Sequence, residues 1–170
     1  MHLKLLAVSV MILGTMLAAP GGAAGPDPNL VGWWRFDDGA GTTALDSSGN
    51  ERHAVATGTP QWVAGVFKGA IDFGAGTSHA EVPGYEGILG PQSRTCAAWV
   101  KVANTAASIV TWGPSGTGTK WVVRTHGNPA SLRVECGQGN IFGTIDLANG
   151  EWHHVAAVLV NDGSPNVDEV

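Results

Sequence analysis

The chain has 170 residues, of which 25 Gly and 9 Pro make 34, about 20% against about 12% in average usage, and this density of turn formers excludes a long-helix or coiled-coil protein. Apolar residues reach 44% and charged residues only 14%, a balance that can fill a core and excludes intrinsic disorder. The formal charge of −5, with no Lys or Arg run, excludes nucleic-acid binding and gives no attraction to anionic lipid.

In chain order, the first element is an address. A cationic start with Lys4 leads into an apolar run from Leu5 to Leu17 and then the small-residue string AAPGGAAG, the layout of a secretory signal peptide. The 13-residue run falls short of the roughly 20 that a bilayer core requires, so cleavage after Ala23 or Ala24 is expected and no membrane insertion after it. The destination is then outside the cell, on its surface or in the periplasm. Removal of residues 1–24 takes Lys4 with it and leaves 146 residues with 8 basic and 14 acidic side chains, a net charge of −6 and the length of one domain. Residues 25–29 read as a linker and 30–170 as the domain.

The domain reads as strands. Leu30 to Phe36 alternates, with Leu30, Trp34 and Phe36 on one side of the pleat. Further strands are predicted at Ala70–Phe73, His79–Val82, Thr95–Val102, Ile109–Trp112, Trp121–Thr125, Leu132–Cys136, Ile141–Ile145 and His153–Val160. Turn strings such as DDGAG, SSGN, PGYEG, GPSGTG, HGNP and ANG separate most of them. In TCAAWVKV, Cys96, Ala98, Val100 and Val102 share one face and Ala97, Trp99 and Lys101 the other. Short strands cut by Gly-rich turns, without a long apolar pattern of helical period, predict an all-β antiparallel sandwich or barrel. Export would let Cys96 and Cys136 form a disulfide; the alternative is two small buried thiols.

The strings WWRFDDGAGTTALDSSGN, GVFKGAIDFG, SHAEVP, TCAAWVK and GEWHHVAAVLV, in that order over residues 30–170, resemble the laminin G-like branch of the concanavalin A-like lectin/glucanase superfamily. The resemblance implies an antiparallel jelly-roll β-sandwich of two sheets, used as a module of an exported protein to bind glycans or extracellular proteins. Members of that branch continue beyond a loop like NDGSPNVDEV into further strands. The chain is therefore expected to be a fragment, with the strand of Trp33 and Trp34 partly uncovered and a tendency to aggregate.

Few groups are arranged for catalysis. Glycoside hydrolysis needs two facing carboxylates, and the Glu-x-Asp-x-x-Glu strand of the related glucanases is absent. Asp168 and Glu169 are neighbours, Glu81 and Glu86 flank a Pro-Gly turn, and Glu135 stands alone. No Ser sits in a G-x-S-x-G elbow and no phosphate-cradling loop occurs. His153 and His154, adjacent on a strand, point to opposite faces and are read as structural.

Two binding sets remain. Asp38, Asp46 and Asn50 in the acidic loop are candidate calcium ligands, since Ca²⁺ takes several oxygens; the alternative is that Asp46 and Asn50 only make turns. Trp33, Trp34, Trp99 and Trp152 are assigned to the core. Trp112 and Trp121 near the GPSGTG loop, with Lys120 and Arg124, are candidate sugar ligands, although the two indoles would equally fill the hairpin. The expectation is a secreted, non-catalytic module that binds carbohydrate or a protein surface. The alternatives are an accessory domain of a secreted glycosidase or sialidase, or a structural spacer.

Overall fold

A computed structural model of the protein describes residues 3–5, 10–11 and 27–163, apart from positions 75, 104, 117–118 and 137–138. Ala23 and Ala24, the expected cleavage positions, lie outside the described residues, as do Asp168 and Glu169. Every regular element among the described residues is a strand. The apolar N-terminal segment contributes β1 (Leu3–Leu5) and β2 (Val10–Met11). The predicted strand over 30–36 narrows to β3 (Trp33–Trp34). Next come β4 (Thr43–Ala44), β5 (Ala54–Thr57) and β6 (Gln61–Ala64), short pieces that carried no strand expectation.

The remaining strands follow the alternation closely. They are β7 (Gly69–Asp72), β8 (His79–Val82), β9 (Arg94–Lys101), β10 (Ser108–Trp112), β11 (Trp121–His126), β12 (Ser131–Cys136), β13 (Gly139–Phe142) and β14 (Trp152–Leu159). Only β13 departs by more than a residue, ending at Phe142 where Ile145 was expected, because Gly143 and Thr144 interrupt it.

The strands form an eight-stranded sheet, β13-β12-β11-β10-β1-β8-β5-β4, a four-stranded sheet, β14-β9-β2-β3, and the β6-β7 hairpin. All pairings are antiparallel. The two larger sheets share one core. The smaller supplies Trp34, Cys96, Ala98, Val100, Val155 and Ala157; the larger supplies Ala80, Val82, Ile109, Val110, Val123 and Val134. The fold is an all-β sandwich, and Cys96, Ala98, Val100 and Val102 point inward together as the alternation requires.

Trp112 and Trp121 belong to this core, which corrects their assignment as ligands. They stand opposite each other in the β10-β11 register and stack with centroids 5.8 Å apart, each 1% exposed. Burying each indole is worth more than offering it to solvent, since an aromatic side chain removes about 150–250 Å² from water. Gly87 presses on Trp112: at φ +84 a Cβ there would lie 2.4 Å from the indole Cγ.

Beside the pair lies Arg94, a buried cation. Its guanidinium sits over the Trp121 ring at 5.1 Å and the Trp112 ring at 5.9 Å. Nε donates to the Gln92 carbonyl at 2.9 Å, and the terminal nitrogens donate to the carbonyls of Ile88 and Gly90. Trp112 Nε1 also donates to Ile88 O, at 2.9 Å, so one peptide anchors both side chains. A buried charge is costly unless its hydrogen bonds are met, and a lysine could reach only one point of this cage. Arg94→Lys is expected to lower unfolding stability by about 2 kcal/mol and Arg94→Ala by about 3–5 kcal/mol, read from urea melts followed by tryptophan fluorescence.

Candidate functional site

Of the expected sugar site, Lys120 and Arg124 gather around Glu135 on the outer face of the sheet, away from the two buried indoles. Lys120 Nζ pairs with Glu135 Oε1, and Arg133 holds the other carboxylate oxygen at 3.1 Å. The Lys120 hydrogen bond outweighs desolvation and holds the Glu135 carboxyl below the usual range. Arg124 Nε donates to the Thr125 carbonyl at 3.3 Å. With both indoles in the core, Trp112, Lys120, Trp121 and Arg124 present no common surface.

The acidic loop is organised from within. Asp46 Oδ1 accepts the backbone N–H groups of Trp33 and Ser48, each at 2.9 Å. Its Oδ2 accepts Ser48 Oγ at 2.8 Å and the Arg52 N–H at 3.0 Å. Burial raises the Asp46 pKa, but these bonds together outweigh burial and hold it below the ordinary value. Asn50 directs its Nδ2 to the carbonyls of Leu30 and Val31, and Asp38 accepts weakly from Leu45 N–H at 3.4 Å. Among the described residues no group of three or more His, Cys, Asp or Glu could hold a metal ion. Asp46 and Asn50 act as turn and anchor residues. Because Asp46 satisfies backbone donors on both sides of the loop, Asp46→Ala should cost about 2–4 kcal/mol in a thermal or urea melt.

The cysteines are free thiols, correcting the expected bridge. Cys96 on β9 is buried and Cys136 on β12 is half-buried. Burial pushes the Cys96 thiol up to about 12, against smaller downward pulls from the Trp121 indole and Arg94. The unfolded thiol ionises first as pH rises, so the folded state binds the extra proton and stability falls between about pH 9 and about pH 12. Stability measured across that window should decline by up to about 1.4 kcal/mol per pH unit from this residue, and Cys96→Ala should remove that part of the slope.

Aromatic groups do gather on the outer face of the four-stranded sheet. With Trp34 and Phe36 turned fully into the core, Trp33 and Arg35 face outward. Trp99, between buried Ala98 and Val100, faces outward too. His154 stands opposite it in the β9-β14 register, with ring centroids 5.3 Å apart. The β6-β7 turn brings in Phe67, 69% exposed, whose ring meets Trp99 edge-on at 6.1 Å. These rings, with Arg35, Val66, Lys68 and Ala98, surround a groove of about 730 Å³.

Two local features seat the groove. The turn closes through Gly65 N–H donating to Lys68 O at 3.2 Å. At Gly69 a Cβ would lie 2.8 Å from Phe36 O and 2.9 Å from Asp37 Cα, so a residue without a side chain lets the hairpin lean on the chain after β3. The rim is charged. Arg35 pairs with Asp37 Oδ2 at 2.8 Å and Lys68 approaches the same oxygen at 3.6 Å, while Arg35 lies 5.5 Å from the Trp33 ring centroid. Two cations and one anion leave an excess of one positive charge on a chain of net charge −5.

Trp33 and Trp99 had been assigned to the core, and in the structure they are half-buried groove walls. Their outward positions were implied by the alternation of 33–36 and 96–102, but a tryptophan in a strand ordinarily argues for burial and masked that signal. Phe67 followed from no periodicity. Glu81 lies 3.0 Å from His79 Nε2, and Glu135 is held by Lys120 and Arg133. No family model, curated protein or solved structure matches this chain.

Proposed function

We propose that the chain is a non-catalytic binding module of an exported protein, a jelly-roll sandwich of the laminin G-like kind, and that it recognises carbohydrate through the groove of Trp33, Phe67 and Trp99. The observation that carries this reading is the gathering of three aromatic side chains around one groove with a hydrogen-bonding rim. Aromatic rings offer flat apolar faces that match the C–H faces of a sugar ring. Arg35 and Lys68 supply donors and Asp37 an acceptor for its hydroxyls.

The same groove is poorly suited to hydrolysis. Asp37 is the carboxylate at its rim among the described residues, and it is engaged by Arg35 and Lys68. A general acid and a base or nucleophile on opposite sides of a glycosidic bond call for two carboxylates. The ordered strings from WWRF to GEWHHV support the laminin G-like reading, and the apolar run after Lys4 supports export.

The test is a glycan array probed with the full chain, followed by titration of the best binder. Trp99→Ala should weaken that binding tenfold or more, since about 1.4 kcal/mol of lost stacking is a factor of ten. Phe142→Ala, at an exposed ring on the other sheet, should leave it unchanged. Absence of any binder, or a Trp99→Ala variant that binds as well as the parent, overturns the reading.

A further inference from the structure

The N-terminal segment holds interior positions in both sheets. β1 lies between β8 and β10: Leu3, Lys4 and Leu5 pair with Val82, Glu81 and Ala80 on one side, and Lys4 and Leu5 with Thr111 and Val110 on the other. β2 lies between β9 and β3: Val10 pairs with Ala98 and Trp34, and Met11 with Ala97 and Trp33. Neither is an edge strand.

These positions matter because no other strand among the described residues bridges their neighbours. In the larger sheet β8 is otherwise paired with β5 and β10 with β11, so among the described residues β1 joins the two halves. Strands in a ladder lie about 4.8 Å apart, so removal of β1 leaves β8 and β10 separated by about two spacings, too far to pair directly. In the smaller sheet β2 is the strand that holds β3, which bears Trp33 of the groove and Trp34 of the core. Each gap is one strand wide, with unmet N–H and C=O groups on both walls.

This segment is also the one whose sequence reads as a cleaved leader. From the two observations we propose that the gaps between β8 and β10 and between β3 and β9 form a paired strand-acceptor site. The leader fills it in the full chain, and an extended apolar segment of a partner polypeptide fills it once the leader has gone. The register specifies the occupant. Positions 3 and 5 stand beside core-facing Val82, Ala80 and Val110, and position 10 beside core-facing Ala98 and Trp34, so each calls for an apolar residue. Position 4 stands level with Glu81 and suits a basic residue. Four residues connect the two strand pieces. Main-chain hydrogen bonds on both sides supply affinity, and the alternate positions supply specificity.

The proposal takes from the export reading only that residues 1–24 leave the chain. The test starts from folded full chain carrying a protease site inserted between residues 13 and 26. After cleavage, the N-terminal fragment should remain bound, and a fluorescent peptide of residues 2–13 should exchange with it saturably. The same peptide with Lys4→Pro and Met11→Pro, which removes ladder donors, should bind at least tenfold more weakly. Aggregation of the cleaved chain that excess parent peptide prevents also supports the site. Immediate loss of the fragment with an unchanged melting temperature overturns it. So do aggregation that the peptide cannot prevent and equal binding of the proline peptide. N-terminal sequencing of the exported protein tests the other reading separately: retention of residues 1–24 would remove the export step while leaving the strand site to be judged by the peptide.

Discussion

A buried guanidinium whose partners among the described residues are carbonyls has to be solvated by the fold itself, and Arg94 sets that requirement for this sandwich. Its cage is made of carbonyls from residues 88–92 and the faces of Trp112 and Trp121. The loop after β8 is thereby tied to the β10-β11 hairpin, at the end of β9 where Arg94 pairs with Leu159. Burial lowers the Arg94 pKa, while the two thiols and Tyr85 pull it back. The same apolar surroundings raise Cys96, Cys136 and Tyr85. One desolvated region therefore explains why the indoles are unavailable to ligand and why the thiols stay protonated.

The outer face of the smaller sheet obeys a simpler constraint. A strand that commits Trp34 and Phe36 to the core must send Trp33 and Arg35 the other way. β9 does the same with Ala98 and Val100 against Trp99. The sheet consequently shows aromatic surface outside as well as inside, and the β6-β7 turn covers part of it with Phe67. Exposed aromatic surface costs stability unless something occupies it, which is the physical basis for reading the groove as a binding site.

The N-terminal segment is part of the architecture of both larger sheets. Two short pieces of it, one around Lys4 and one inside the apolar run, are taken up as interior strands, one in each sheet. The groove depends on this arrangement, since β3 carries Trp33 and is held to the sheet through β2. One two-residue strand, β3, thus carries a wall of the groove and depends on β2 for its place in the sheet.

Much of the strand pattern was legible without coordinates, because alternation and glycine punctuation are local: β8 to β12 and β14 begin and end within a residue of where the sequence places them. The inward face of β9 was equally readable. The short strands β4 to β6 were not, since two to four residues carry too little periodicity to stand out from a polar loop. The site was not either. Alternation gives two faces for each strand but does not say which Trp of the chain lies beside which, and that depends on register and sheet order. Trp112 and Trp121 are close in the chain to a surface loop, yet pairing sets them face to face inside. Trp33, Phe67 and Trp99 are spread over sixty-six positions and meet only because β2 joins β3 to β9 and Gly69 lets a hairpin close over them. Local chemistry determined the strands; non-local pairing decided which side chains share a surface, because a contact between distant residues is a property of the assembled sheets and of no single segment.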